Sequence, residues 1–428
     1  MQRTLQYAIV SALILCVTGS LSGQVLNTES PYSRYGFGER VVTSYGRAAS
    51  MGGITQGLRD PNAVNPFNPA AYTSQDTMSF ILDMGMQAGY VTAKSKGYTA
   101  SNNLAVNIHH LAIQFPLQKW GGVAVGFHPY SQMGYNVVRY ETDPQIISKI
   151  GRVRYHHKGS GGINEAFLGL ALQPLSFLSV GVNGRYLFGS LNQEQNIIVP
   201  ANATYADVNT TRRIVLRGFV FTAGLQTHFS FGENRKQSLT LGATVDYAPR
   251  MNVENRLEMT QSILNGEYRV VDNYLRSRGK ITYPMRYAVG GLYHNEHWEV
   301  GADFSTQNWR GFALPGGATL RESSYSINAG VQWVPNATDL RNYARRMQYR
   351  MGFSYERLPL LLAGHSISDY AVTIGLGFPF RYTGSIFNLG LVFGRRGTLA
   401  GNLVQESYAR LQLGISLNDV WFFKRRYN

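Results

Sequence analysis

The sequence is short of three things. It has one cysteine, Cys16, in 428 residues. That excludes a disulfide framework and a cysteine-rich zinc site. Charged residues make up 15% of the chain, below the roughly 25% usual in soluble globular proteins. Beyond the first twenty-odd residues there is no apolar run of the roughly 20 residues that a membrane-crossing helix needs. Mean hydropathy is only slightly negative, at −0.18. What is abundant is glycine (46), tyrosine (27) and phenylalanine (21). Few charges, many small and aromatic residues and no long apolar run point to a β protein that hides its hydrophobicity by alternation.

The chain opens like a secretory signal. Arg3 gives a positive start, and Tyr7 to Val17 form an apolar core of signal length. Ser20, Ser22 and Gly23 supply small residues for cleavage, so residues 1–23 are read as a signal peptide. Leu15 stands before Cys16 where a lipoprotein signal wants a small residue. With the signal removed the chain has no cysteine, as befits an exported protein.

Period-two alternation then recurs to the C-terminus. Leu178, Val180, Val182, Tyr186 and Phe188 share one strand face, with Ser179, Asn183 and Arg185 on the other. The pattern repeats at Leu239–Tyr247, Trp298–Phe304, Tyr325–Trp333, Tyr349–Tyr355, Phe387–Phe393 and Ala409–Leu417. It predicts about 14 strands between residues 78 and 417. Short turns such as 173–176 and 232–237 alternate with longer polar connections at 141–151, 197–210, 262–279 and 309–321. Short turns at one end and long loops at the other are the signature of an outer-membrane barrel, and an even count puts both barrel ends on the periplasmic side. Tyr90, Tyr186, Phe188, Trp298, Trp333, Tyr355 and Phe393 near strand ends fit interfacial girdles. A soluble sandwich would carry polar outer faces rather than Gly, Ser and Asn on its second face. The fold class is therefore an all-β, transmembrane antiparallel β-barrel of about 14 strands with an N-terminal plug segment. The expected divisions are 1–23 signal, 24–77 plug, 78–417 barrel and 418–428 periplasmic tail.

Residues 24–77 carry Ser30–Gly36 (SPYSRYG), then Gly46 to Gly53 with Met51 and Gly52, then Asn68–Pro69–Ala70. This stretch resembles the N-terminal region of the FadL-type outer-membrane transport family, in which a Gly/Ala-rich segment and an Asn-Pro-Ala motif precede a 14-stranded barrel. The SPYSRYG start and the ending Leu417–Arg426 resemble the Bacteroidetes branch. The resemblance implies an outer-membrane location in a Gram-negative bacterium. It also implies energy-independent passage of hydrophobic small molecules of the long-chain fatty acid kind, past a hatch and through a kinked strand. Relatives in the same branch serve instead as partners of secretion or outer-membrane assembly machinery, and that is the alternative function.

A 14-stranded barrel encloses more space than its own side chains fill, so the plug has a lumen to occupy. Inward positions carry both signs, among them Asp83, Arg185, Asp246, Glu299 and Asp303, and can pair with it. Arg185, Arg286 and Arg350 are the candidate lumen contacts for a carboxylate, because the guanidinium fork binds one bidentately. In 102–116 the apolar phase changes at His109–His110, which predicts a β-bulge and a strand kink. Neighbouring strand residues face opposite ways, which speaks against His109–His110 as a metal pair. No Gly-x-Ser-x-Gly, His-Glu-x-x-His or Walker loop is present, so no enzyme, cofactor or metal is called for. The net charge of +15 is dispersed, with small groups at Arg212–Arg213, Arg345–Arg346, Arg395–Arg396 and 424–426. Dispersal argues against nucleic acid. It suits lipopolysaccharide phosphates at the rim, or an acidic protein partner.

Overall fold

A computed structural model describes residues 30–420, apart from positions 97, 102–104, 201–204, 233–235, 263–267, 313, 315–319, 321–322, 340 and 382. The expected signal peptide (1–23), residues 24–29 and the tail beyond 420 lie outside the described residues. Alternation of apolar and polar residues lets each strand present one face to lipid and one to the lumen, and fourteen such strands close into an antiparallel barrel. In chain order they are β1 (Ser79–Ser95), β2 (Tyr98–Ser101 with Ala105–Gln118), β3 (Gly121–Gln132 with Tyr135–Tyr140), β4 (Arg154–Leu175) and β5 (Leu178–Ile198). Then come β6 (Val208–Phe231), β7 (Gln237–Tyr247 with Met251–Ser262), β8 (Tyr268–Ile281 with Met285–His294), β9 (Trp298–Asn308) and β10 (Ser323–Trp333). The last four are β11 (Gln348–Leu362), β12 (His365–Pro379), β13 (Ile386–Gly397) and β14 (Gln405–Val420). The ring closes where β14 pairs with β1, from Gln405 opposite Lys94 to Val420 opposite Ser79. Closure leaves no edge, which a sheet in lipid requires.

Along β6 the outward residues Phe219, Phe221 and Leu225 are exposed, while Val220, Thr222 and Gln226 between them are buried in the lumen. Connections 119–120, 176–177, 232–236, 295–297 and 380–385 turn tightly at one end, the end that also carries Ser79 and Val420. Connections 141–153, 199–207 and 309–322 lie at the other, outer end. Two break the rule. Residues 334–347, at the tight-turn end, hold the helix Tyr343–Arg346, and residues 363–364, at the outer end, make a two-residue turn with φ of 47° and 77°.

Two boundaries differ from expectation. Residues 262–279 were expected as a loop, yet Tyr268–Ile281 is a strand paired with Met251–Ser262. Its described outward residues are cations rather than apolar groups, so a count of apolar alternation passes over it. β14 also continues past 417: Asn418 and Asp419 interrupt the apolar pattern but still pair with Ile81 and Phe80.

Candidate functional site

The lumen is occupied by the chain's own N-terminal segment. At the outer end the Ser30 amide donates to the Gly134 carbonyl at 2.9 Å, and the Ser30 hydroxyl donates to Glu406 on β14 at 2.7 Å. Glu39–Arg40 add a short antiparallel rung against β3. The segment then descends through a helical turn, Gly46–Ala49, and a tight turn at Met51–Gly53. It reaches the tight-turn end at Asn62, whose side-chain oxygen accepts from Asn418 at 2.6 Å. A 3-10 helix, Pro69–Ser74, returns it to β1.

Every arm of this path is tied to a different part of the wall. Arg47 donates to Asp60 within the segment at 2.6 Å and to Glu299 on β9, all three groups being nearly buried. Glu299 also accepts from Gln332 on β10 at 3.0 Å. Asp303 on β9 accepts the backbone amides of Thr55 at 2.5 Å and Gln56 at 2.9 Å. Asn183 on β5 donates to the Pro66 carbonyl at 2.7 Å and accepts from the Tyr72 hydroxyl at 3.0 Å. Thus the irregular backbone at Thr55, Gln56 and Pro66 finds polar partners on the wall, as a dry surrounding demands.

The motif residues sit at the closest approaches. Asn68 is fully buried and caps the helix by accepting from the Ala70 amide at 3.2 Å. Its amide group donates to the carbonyls of Gln56 at 2.9 Å and of Leu225 on β6 at 3.2 Å. Pro69 and Ala70 lie against Gly181 on β5, where a side chain would collide with them. Met51 is fully buried, and its carbonyl fills the space a side chain on Gly330 would need. Gly52 has φ of 68°, which a side-chain-bearing residue resists, and its backbone nitrogen occupies the place of a Cβ on Gly352. Gly46 has φ of 40° and faces Asn388; Gly53 has φ of 82°. Wall glycines are therefore the contact surface for the segment's backbone. The sequence reading assigned them only to a second face.

At the predicted kink the register slips by one: Gly85 pairs with His110 and Met86 with Ile108, leaving His109 as the extra residue. The bulge turns both imidazoles inward, correcting the expectation that the two neighbours face opposite ways. His109 and His110 are buried, with their Nδ1 atoms 2.8 Å apart. His110 Nε2 meets Asp83 at 3.0 Å, and Tyr45 stacks on the His110 ring at 3.8 Å. Pairing of β1 with β2 resumes on both sides of the bulge, so the wall stays closed. Among the described residues no three His, Cys, Asp or Glu side chains gather into a metal site.

The three candidate arginines have different fates. Arg185 is clasped by both oxygens of Glu165 at 2.7 Å and lies 3.2 Å from Asp246. Arg350 donates to Gln332 at 2.7 Å, to Asn388 at 2.6 Å and to Gln348. Arg286 alone of the three lines the open space, a cavity of about 220 Å³ between the segment and the outer half of the wall. Its floor and sides carry Glu39, Asp303, Glu356, Asp369, Arg396 and Arg410; its upper rim carries Tyr35, Phe37, Trp309 and Leu320. Four of the charges lining it are paired: Arg396 with Glu39 and Asp369 at 2.8 Å each, and Arg410 with Glu39 at 2.5 Å. Arg59, within the segment, has no carboxylate beside it, and burial lowers its pKa to about 10. It donates to Ser179 at 3.0 Å and to the Thr73 carbonyl at 3.2 Å. The luminal half of each such contact was legible as an inward polar residue. The partners Tyr45, Arg47, Asp60 and Glu39 were not, because no periodicity marks an irregular segment.

The fold is found again among solved structures. The Pseudomonas putida toluene transporter TodX superposes with a TM-score of 0.61 at 16% identity, over 89% of this chain and 100% of that one. The CymD monoaromatic hydrocarbon channel gives 0.58 at 13%, over 90% and 100%. A Pseudomonas aeruginosa FadL homologue gives 0.58 at 10%, over 90% and 100%. At such identities the likeness is one of fold, the FadL-type barrel. Comparison with curated proteins gives no match. The family model described as BamG matches residues 4–428. By that match, over almost its whole length, this chain belongs to the BamG family.

Proposed function

We propose that this protein is a sealed barrel in the outer membrane of a Gram-negative bacterium, serving as a structural partner subunit of an outer-membrane protein assembly or secretion complex. The observation that carries this is the filled lumen. Residues 30–75 act as a plug, held to the wall by a buried ion-pair and hydrogen-bond network that reaches β3, β5, β6, β9, β12 and β14. The space left is lined by charged residues, four of them ion-paired, which an apolar solute would have to desolvate. The bulge at His109 leaves no gap in the wall. The SPYSRYG start and the C-terminal residues support a place in a Bacteroidetes-type branch.

A second reading, energy-independent passage of a hydrophobic small molecule, is favoured by the aromatic and aliphatic rim of the cavity and by the hydrocarbon channels that share the fold. Long-chain fatty acid specificity would then fall to Arg286, the candidate arginine that faces the space. Affinity purification of the full chain from outer membranes in mild detergent separates the two. A stoichiometric outer-membrane assembly or secretion protein is the expected result. Recovery of the barrel alone, with lipid-like solute held in the lumen, would support passage instead.

A further inference from the structure

Above the apolar band, the outward face of β6, β7 and β8 changes from aromatic to basic within two residues. On β6, Phe219 and Phe221 face outward with exposures of 53% and 44%, and Arg217 follows on the same face. The register sets the residues beside it. Arg217 lies opposite Asn252, which lies opposite Lys280; Val215, Glu254 and Arg278 form the next row, and Arg213, Arg256 and Arg276 the third. The intervening residues Ile214, Leu216, Met251 and Val253 are buried in the lumen, so these rows face away from the barrel. Strand spacing puts the columns about 4.8 Å apart and the rows about 6.7 Å apart. Within these three rows six cations meet one carboxylate, Glu254, and Glu258 stands one row further out on the same face. Glu254 draws in Arg256 at 2.5 Å, Arg276 at 2.9 Å and Arg278 at 3.5 Å, and with Glu258 counted the excess is 6 − 2 = 4 positive charges. A depression of about 480 Å³ lies over the residues of the three rows except Arg276 and Lys280.

Its height on the wall decides what it meets. From Phe229 to Phe219 the outward face of β6 is ten residues long. At about 3.3 Å per residue and a tilt of about 40°, that is about 25 Å, the height of the apolar band of an outer-membrane barrel. Arg217 therefore stands at the outer interface, with Phe219, Phe221 and Tyr247 directly beneath it. We infer that this grid is a binding site for the phosphorylated headgroup of an outer-leaflet lipid, whose acyl chains lie along those aromatic rings. Guanidinium forks suit phosphate oxygens, and cations at an interface attract anionic lipid. A free anion would have no use for the aromatic floor. The inference does not depend on what the lumen does.

The test uses the full chain in detergent, titrated with monophosphorylated lipid A, with the same lipid after enzymatic dephosphorylation, and with inorganic phosphate. The wild type is expected to prefer the phosphorylated lipid by at least about tenfold. The triple variant Arg213→Gln, Arg217→Gln, Arg278→Gln, shown to be folded by its heat-dependent gel shift, is expected to lose that preference. The single variant Arg217→Gln should reduce it in part, and Phe219→Ser should weaken both lipids. Equal binding of the two lipids overturns the proposal. So do a preference that survives in the triple variant, inorganic phosphate binding as tightly as the lipid, and an acidic protein cross-linking to the grid without lipid discrimination.

Discussion

Arg47 is a single cation between two carboxylates, all three nearly buried. Removing one partner of a buried pair leaves the others charged and unpaired, which costs about 3–5 kcal/mol. Arg47→Ala is therefore expected to lower the unfolding free energy of the detergent-solubilised barrel, read from its denaturant midpoint and slope, by that much, while Arg47→Ala with Asp60→Asn and Glu299→Gln recovers part of the loss. An unchanged midpoint for the single variant would show that the segment is not clamped at this point. Gly352→Val tests the close approach of the segment's backbone. Overpacking of this kind costs about 1–3 kcal/mol. The penalty should vanish when residues 30–74 are deleted, since the obstacle is then gone. Melting temperatures of the four proteins in that cycle decide it: an equal penalty in both backgrounds would place the clash in the wall itself.

At the scale of elements, alternation made the wall legible. Its signal is local, because each strand reports its two faces through its own residues. The stretch it missed, the Tyr268–Ile281 half of β8, carries Arg276, Arg278 and Lys280 outward, where the barrel has risen above lipid and apolar residues no longer mark the outer face. The phase change at His109 was legible for the same local reason. What the bulge does was not, because the inward turn of both imidazoles depends on Tyr45 and Asp83 elsewhere in the chain. Deleting His109 brings Leu104, Val106 and Ile108 into phase with the residues after it. The variant is expected to remain a folded barrel with the same heat-dependent gel shift and no gain in dye permeation. A leaky variant would make the bulge part of a gate. The segment itself showed Gly, Pro and Asn where a chain turns, and so could be recognised as non-spanning. Its route through the lumen was set by pairings with strands far along the chain, which no local pattern encodes.

At the scale of the molecule, the low charge and the glycine excess have one explanation. Outward faces meet lipid and carry few charges. Inward faces carry glycine where backbone meets backbone, and elsewhere polar and charged residues, many of them paired with the segment or with each other. The fold is shared with hydrocarbon channels, yet a fold is not a function. What separates a channel from a sealed partner subunit is whether the lumen can be crossed. The direct measurement is uptake of a hydrophobic dye into vesicles bearing the full chain, beside vesicles bearing the chain without residues 30–74. The full chain is expected to stay at the level of empty vesicles, and the deletion to admit dye. Rapid, saturable uptake by the full chain would contradict the sealed barrel and establish passage.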